Sequence, residues 1–115
     1  MFLVIDNTPA EQIVLYYDVV GVWHEERFIE SGEGGLLMAI EKLFKKIGQP
    51  LTTLTGLAVR VGHGRFTSTR VATTVANTLG YALQIPVIAA TDIDLDVVAD
   101  RLRETPVGQY ATALY

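Results

Sequence analysis

No cysteine occurs among the 115 residues, which excludes a disulfide framework, a thiolate nucleophile and any cysteine-ligated metal site. Histidine is scarce as well. His24 and His63 are the only two, and neither belongs to an HxxxH or HExxH pair, so a histidine metal centre is not expected. Serine is limited to Ser31 and Ser68. Ser68 with His63 could in principle form a nucleophile pair, but no G-x-S-x-G elbow surrounds it, so hydrolase chemistry is not expected. Lys and Arg number 9 against 13 Asp and Glu, for a net charge of −4. A domain that grips nucleic acid by itself normally carries a basic stripe. The balance still permits a subunit whose partner holds RNA. No apolar run approaches the roughly 18 residues of a spanning helix, and the opening Met1-Phe2-Leu3-Val4-Ile5-Asp6 lacks the basic start of a signal peptide. These absences lead us to expect a single cytoplasmic domain with no membrane contact, no metal and no cofactor.

Half of the chain is hydrophobic, enough to bury one core and to exclude a disordered chain. The organising stretch is residues 56–90. Leu57-Ala58-Val59-Arg60-Val61 is short and β-rich, Gly62 and Gly64 bracket a turn, a helical period begins at Thr67, and Gln84-Ile85-Pro86 ends it before the apolar Val87-Ile88-Ala89-Ala90. Glycines at the turn permit positive φ without steric cost. Strand, helix and second strand predict a parallel βαβ unit with a right-handed crossover.

The remaining chain supplies strands over 2–5, 12–17 and 22–29 as an antiparallel meander. The third alternates imperfectly and reads as an edge. A glycine-rich linker at 31–35 leads into a helix over 36–47, whose apolar stripe is Leu36, Leu37, Ile40, Leu43, Phe44 and Ile47. Gly48 and Pro50 end it, and a polar loop occupies 52–55. A last helix, capped by Thr91 or Asp92, runs to about residue 103 with Ile93, Leu95, Val97, Val98 and Leu102 inward. The order β-β-β-α-β-α-β-α implies an α/β domain with a mixed sheet and helices packed against it. The tail, 104–115, is expected to pair with a strand edge, its own or that of a second copy.

The helix over 67–83 places Val71, Ala72, Val75, Ala76, Leu79, Ala82 and Leu83 on one side. Arg70, Thr73, Thr74, Asn77, Thr78 and Tyr81 lie on the other. A solvated helix usually carries charge on its outer side. Small, weakly polar side chains suit the close approach of another helix, though an exposed threonine-rich helix is the plainer alternative. Two further features bear on chemistry. Asp6, at the end of the first strand, is placed to hold a metal-bound water near phosphate or to make a simple Asx turn. Gly62-His63-Gly64 before a helix could cradle a phosphate, but no lysine follows at P-loop spacing.

The run Val61-Gly62-His63-Gly64-Arg65-Phe66-Thr67-Ser68-Thr69-Arg70-Val71 resembles the motif of the TsaB (YeaZ) family, G-x-G-P-G-S-F-T-G-L-R-I-G. Phe66, Thr67 and Arg70 match its Phe, Thr and Arg, and Ile85-Pro86 matches its Ile-Pro. His63-Gly64-Arg65 stands in place of Gly-Pro-Gly-Ser, and Thr69 in place of an aliphatic residue. The tail from Val107 through Tyr110-Ala111 to Tyr115 resembles the first strand of that family's second domain. The resemblance therefore covers the first domain, 1–103, with 104–115 as the start of a missing second. It implies a single actin-like ATPase (ribonuclease H-like) domain with sheet order 3-2-1-4-5. It further implies a non-catalytic subunit of the machinery that makes threonylcarbamoyladenosine in tRNA. Its implied partners are a TsaD-like catalytic subunit and a TsaE-like ATPase, with a homodimer in isolation and tRNA met only indirectly. The catalytic relative uses a paired-histidine iron site that this chain lacks. Carried over to this sequence, the partner interface comprises Met38, Glu41, Lys45, Arg70, Thr73, Thr74, Asn77, Thr78 and Tyr81. The alternatives are a remnant nucleotide-binding domain using Asp6 and the Gly62–Gly64 turn, and an orphan homodimer with no tRNA role.

Overall fold

A computed structural model describes residues 1–29, 35–62 and 66–112. The expectations for Ser31 and its glycine linker, for His63, Gly64 and Arg65, and for residues 113–115 fall outside that range. The elements are β1 (Phe2–Asp6), β2 (Gln12–Val19), β3 (Val22–Ile29), α1 (Gly35–Ile47), β4 (Gly56–Arg60), α2 (Phe66–Leu83), β5 (Val87–Ala90) and α3 (Leu95–Glu104). A short 3₁₀ turn at Leu51–Thr53 replaces the expected loop.

The five strands form one sheet in the order β3-β2-β1-β4-β5. β1 pairs antiparallel with β2 and parallel with β4, and β4 pairs parallel with β5. The parallel half follows from the two helical crossovers, the antiparallel half from two short turns. Alternation divides the core between the two faces of the sheet. Leu3, Ile5, Leu15 and Leu57 point toward α1 and α2, where the larger cluster lies. Val4, Ala58 and Ile88 point toward α3, meeting Val98 and Leu102. β3 is an edge, as its alternation predicts, and its middle carries exposed Glu25 and Arg27 and half-buried Glu26, charges that discourage pairing with another chain.

The helix ends obey local rules. Gly48 has φ +69, and the Gly48 and Gln49 amides donate to the carbonyls of Lys45 and Phe44, a Schellman close. α2 closes the same way on Gln84, at φ +55, with Ile85 N–H to the Gly80 carbonyl at 3.0 Å. Asp94 caps α3, accepting from Val97 N–H at 3.3 Å. This corrects the expectation of Thr91 or Asp92. Val97 is exposed, and Ala99 takes the inward position assigned to it.

The β2–β3 turn carries strain. Val20 has φ +51 and Gly21 φ +77, the two positive angles of a type I′ turn. Glycine fits this geometry, but a β-branched residue does not. Val20 is also 96% exposed, so it offsets nothing by packing. Val20→Asn is therefore expected to stabilise the domain by about 1 kcal/mol. Chemical denaturation should move to a higher midpoint with unchanged slope, and an unchanged midpoint would count against the assigned turn.

Candidate functional site

At the carboxyl ends of β1 and β4, Asp6 takes the Asx turn, one of its two expected roles. The Asp6 side chain is 2% exposed. Its Oδ1 accepts from Thr8 N–H at 3.0 Å and from the Thr8 hydroxyl at 2.6 Å, which makes the Asx turn. Its Oδ2 accepts from Arg60 Nη1 at 3.0 Å. Arg60 Nε also donates to the Thr91 carbonyl at 3.3 Å, tying the end of β4 to the turn after β5. Nearby, Asn7 Nδ2 donates to the Ser68 carbonyl at 3.2 Å and pins the start of α2 to β1. Ser68 is buried in that first turn, which sets its hydroxyl away from solvent. Gly62 takes φ +84, as the turn requires, and a Cβ there would lie 3.4 Å from Thr91 Cγ2. His24 lies on the edge strand, its ring stacked on Tyr17 with centroids 5.2 Å apart. Among the described residues no three His, Asp or Glu side chains gather into a metal-holding group.

The second candidate lies on the other side of the sheet, where α1 and α2 run together. Between them is a groove of about 540 Å³, lined by Ile40, Phe44 and Leu79 and bordered by Leu37, Leu51 and Glu41. Among the described side chains of these helices, three large apolar ones face solvent: Leu37 at 60% exposure, Val71 at 45% and Tyr81 at 69%. Glu41 and Lys45 pair at 3.1 Å along the outer side of α1. On α2, Thr67, Arg70, Thr74, Thr78 and Tyr81 are exposed, and their spacing of three and four keeps them on one side. Thr67, Arg70, Val71, Thr74 and Val75 line a further shallow depression.

Several assignments change. Thr73 is buried, and its hydroxyl donates to the Thr69 carbonyl at 2.7 Å. It belongs to the inner side of α2. Asn77 is half-buried and bonds the backbone of Ala111. It serves the tail. Met38 lies beside Phe28, Ile29 and Lys42 in a cleft between α1 and β3, on the flank of α1 away from α2. Val71 and Ala82, placed inward by their hydropathy, are outward. Sequence reading also missed Leu37 as an outer residue. Leu36, Ala39, Ile40, Leu43 and Phe44 already fill the buried side of α1, and Leu37 lies at its margin. Phe66 begins α2, but its side chain lies outside the description.

Comparison with known proteins bears on the family and the fold. Residues 33–113 match the family described as TsaD, tRNA N6-adenosine threonylcarbamoyltransferase. A tRNA N6-adenosine threonylcarbamoyltransferase of Geotalea daltonii is 28% identical over 99 residues, 84% of this chain and 28% of that protein. Among solved structures, YeaZ from Pseudomonas aeruginosa superposes with a TM-score of 0.70 at 26% identity, covering 90% of this chain and 49% of its own. A protein described as similar to peptidase YEAZ from Pseudomonas aeruginosa gives 0.69 at 27% identity, covering 90% and 47%. The chain thus spans about half the length of these solved relatives and a smaller share of the transferase. The fold they share with it is the actin-like ATPase fold, as the motif resemblance implied. Among the described residues no helix is long and apolar enough to cross a membrane.

Proposed function

The chain belongs to the TsaD family of tRNA N6-adenosine threonylcarbamoyltransferases and folds like YeaZ, and from that premise we propose that it is a non-catalytic partner subunit of tRNA threonylcarbamoyladenosine formation. It acts by docking the outer sides of α1 and α2 against a TsaD-like transferase subunit, or against a second copy of itself. A TsaE-like ATPase completes the machinery, and tRNA is met through the partner. The observation that carries this reading is the exposed apolar and threonine side of α2, with Val71, Thr74, Thr78 and Tyr81, together with exposed Leu37 at the α1–α2 groove. Apolar side chains interleaved with small polar ones, and with few charges beyond Glu41, Lys45 and Arg70, suit a protein interface.

The residues assigned to chemistry support a binding role. Both carboxylate oxygens of Asp6 are occupied by Thr8 and Arg60, so this acid is built into the scaffold rather than directed at phosphate. His24 is engaged with Tyr17 on the edge strand.

Thr74→Lys and Thr78→Lys test the reading. Both sites are exposed, so the fold should persist with an unchanged circular dichroism spectrum. A lysine that must be desolvated at an interface weakens association about tenfold or more. Sedimentation measures this for self-association, and capture of the transferase subunit from the source cell measures it for the partner. Unchanged mass and unchanged capture in both variants would remove α2 from the interface.

A further inference from the structure

After α3 the chain turns back over the domain. Thr105 caps the helix, its amide donating to the Leu102 carbonyl. Gly108 takes φ +98 and redirects the chain. Residues 109–112 then run through the cleft between the outer edge of β5 and the side of α2. Three hydrogen bonds hold them. Val87 N–H, which points away from β4, donates to the Gln109 carbonyl at 3.2 Å. Asn77 Nδ2 donates to the Ala111 carbonyl at 2.9 Å, and Ala111 N–H donates to Asn77 Oδ1 at 2.8 Å. The carboxamide gives Ala111 one donor and one acceptor, as a neighbouring strand would. The Ala111 methyl is buried in the larger core cluster, while Tyr110 and Thr112 on either side are exposed. One buried methyl among exposed neighbours and one main-chain bond to β5 bring the segment to the sheet edge without a strand ladder.

We propose that this cleft is a seat for an extended peptide. Asn77 and the Val87 N–H read main chain, and the core beneath admits only an alanine-sized side chain at the centre. Its occupant is this chain's segment 109–112. Main-chain recognition sets affinity and the buried position sets selectivity, the division of labour found where peptides add to a sheet edge. Asn77 fixes register, because a shift by one residue would turn Tyr110 or Thr112 inward. With so few contacts, the segment opens far more often than the sheet beneath it. The seat is therefore separable from its occupant and takes the same sequence in trans.

Hydrogen exchange on the full chain tests the first half. Asn77→Ala should raise exchange at Ala111 on the order of tenfold or more, with Val87 following and β1 amides unchanged. Asn77→Asp keeps the acceptor and loses the donor, so it should fall between the two. Unchanged Ala111 protection in Asn77→Ala would overturn the role of the carboxamide. Ala111→Arg in the full chain should unseat the segment and deprotect Val87. A fluorescent peptide with the sequence of residues 105–115 should then bind that variant saturably. It should fail on Ala111→Arg combined with Asn77→Ala, as should a peptide carrying arginine at the alanine position. Retained Val87 protection in Ala111→Arg would overturn the size limit. An unseated chain that does not take the peptide would overturn the seat.

Discussion

Replacing Gly80 with alanine is expected to lower the melting temperature by on the order of 10 °C. Gly80 is where α2 lies closest to β5. A Cβ built there sits 2.2 Å from Val87 Cγ2 and 3.3 Å from the Ile85 carbonyl oxygen. Val87 is buried and β-branched, so its methyl cannot swing aside without changing rotamer inside a closed core. The Ile85 carbonyl belongs to the backbone and is fixed by the chain reversal into β5. Relief must come from lifting α2 off the sheet, which opens gaps at Ala72 and Ala76, the other small residues of the contact. Alanine is the better helix former by about 1 kcal/mol, but overpacking of this kind costs about 1–3 kcal/mol and occasionally more. Here the 2.2 Å approach to a buried, β-branched side chain places it at the upper end. Val87→Ala removes the clashing methyl, so the double variant should lose less than the two single losses combined. Thermal melts of the four proteins in the cycle give the coupling directly. Additive losses would mean that the helix does not rest on Val87.

Most of this architecture was legible because the elements carry their own punctuation. Gly48 and Pro50 close α1, Ile85-Pro86 separates α2 from β5, and the charged middle of β3 marks an edge. The face of α2 was misjudged for a physical reason. Hydropathy ranks Val71 above Thr73, but a helix approaching a sheet this closely selects for size. Its inner side is Thr69, Ala72, Thr73, Ala76 and Gly80, and Thr73 settles its hydroxyl on its own helix, as threonine often does. Valine is left outside because no space remains beneath it. The outer side of α2 therefore differs by part of a turn from the sequence expectation, losing Thr73 and Asn77 and gaining Val71. Asn77 could not be assigned from sequence at all, since its partner is 34 residues away in a segment without regular structure. The turn at Val20 carries little signal in the sequence because valine is the wrong residue for it, and the pairing of Val19 with Val22 forces the angle.

Arg60→Met should cost about 3 kcal/mol, the second large loss, through a contact between residues 54 positions apart. The Asp6 carboxylate is nearly inaccessible, while the Arg60 side chain keeps about a quarter of its surface in water. Breaking a buried ion pair from one side leaves the other charge without compensation, typically at a cost of about 3–5 kcal/mol. Partial exposure of the guanidinium puts this pair at the lower end of that range. Methionine retains most of the arginine stem, so the loss reports the charge and its hydrogen bonds more than packing. The Thr91 carbonyl loses its Nε donor in the same step, loosening the turn that follows β5. The sharper expectation concerns the double variant. Asp6→Asn keeps an acceptor for the Thr8 hydroxyl and amide but removes the stranded charge. Combined with Arg60→Met it should recover part of the loss, so that the double variant is more stable than Arg60→Met alone. Urea denaturation at neutral pH measures both. A double variant no better than Arg60→Met would mean that Asp6 is not the group the arginine neutralises. The end of β1 would then have to be reconsidered as a site whose acid is free for a ligand.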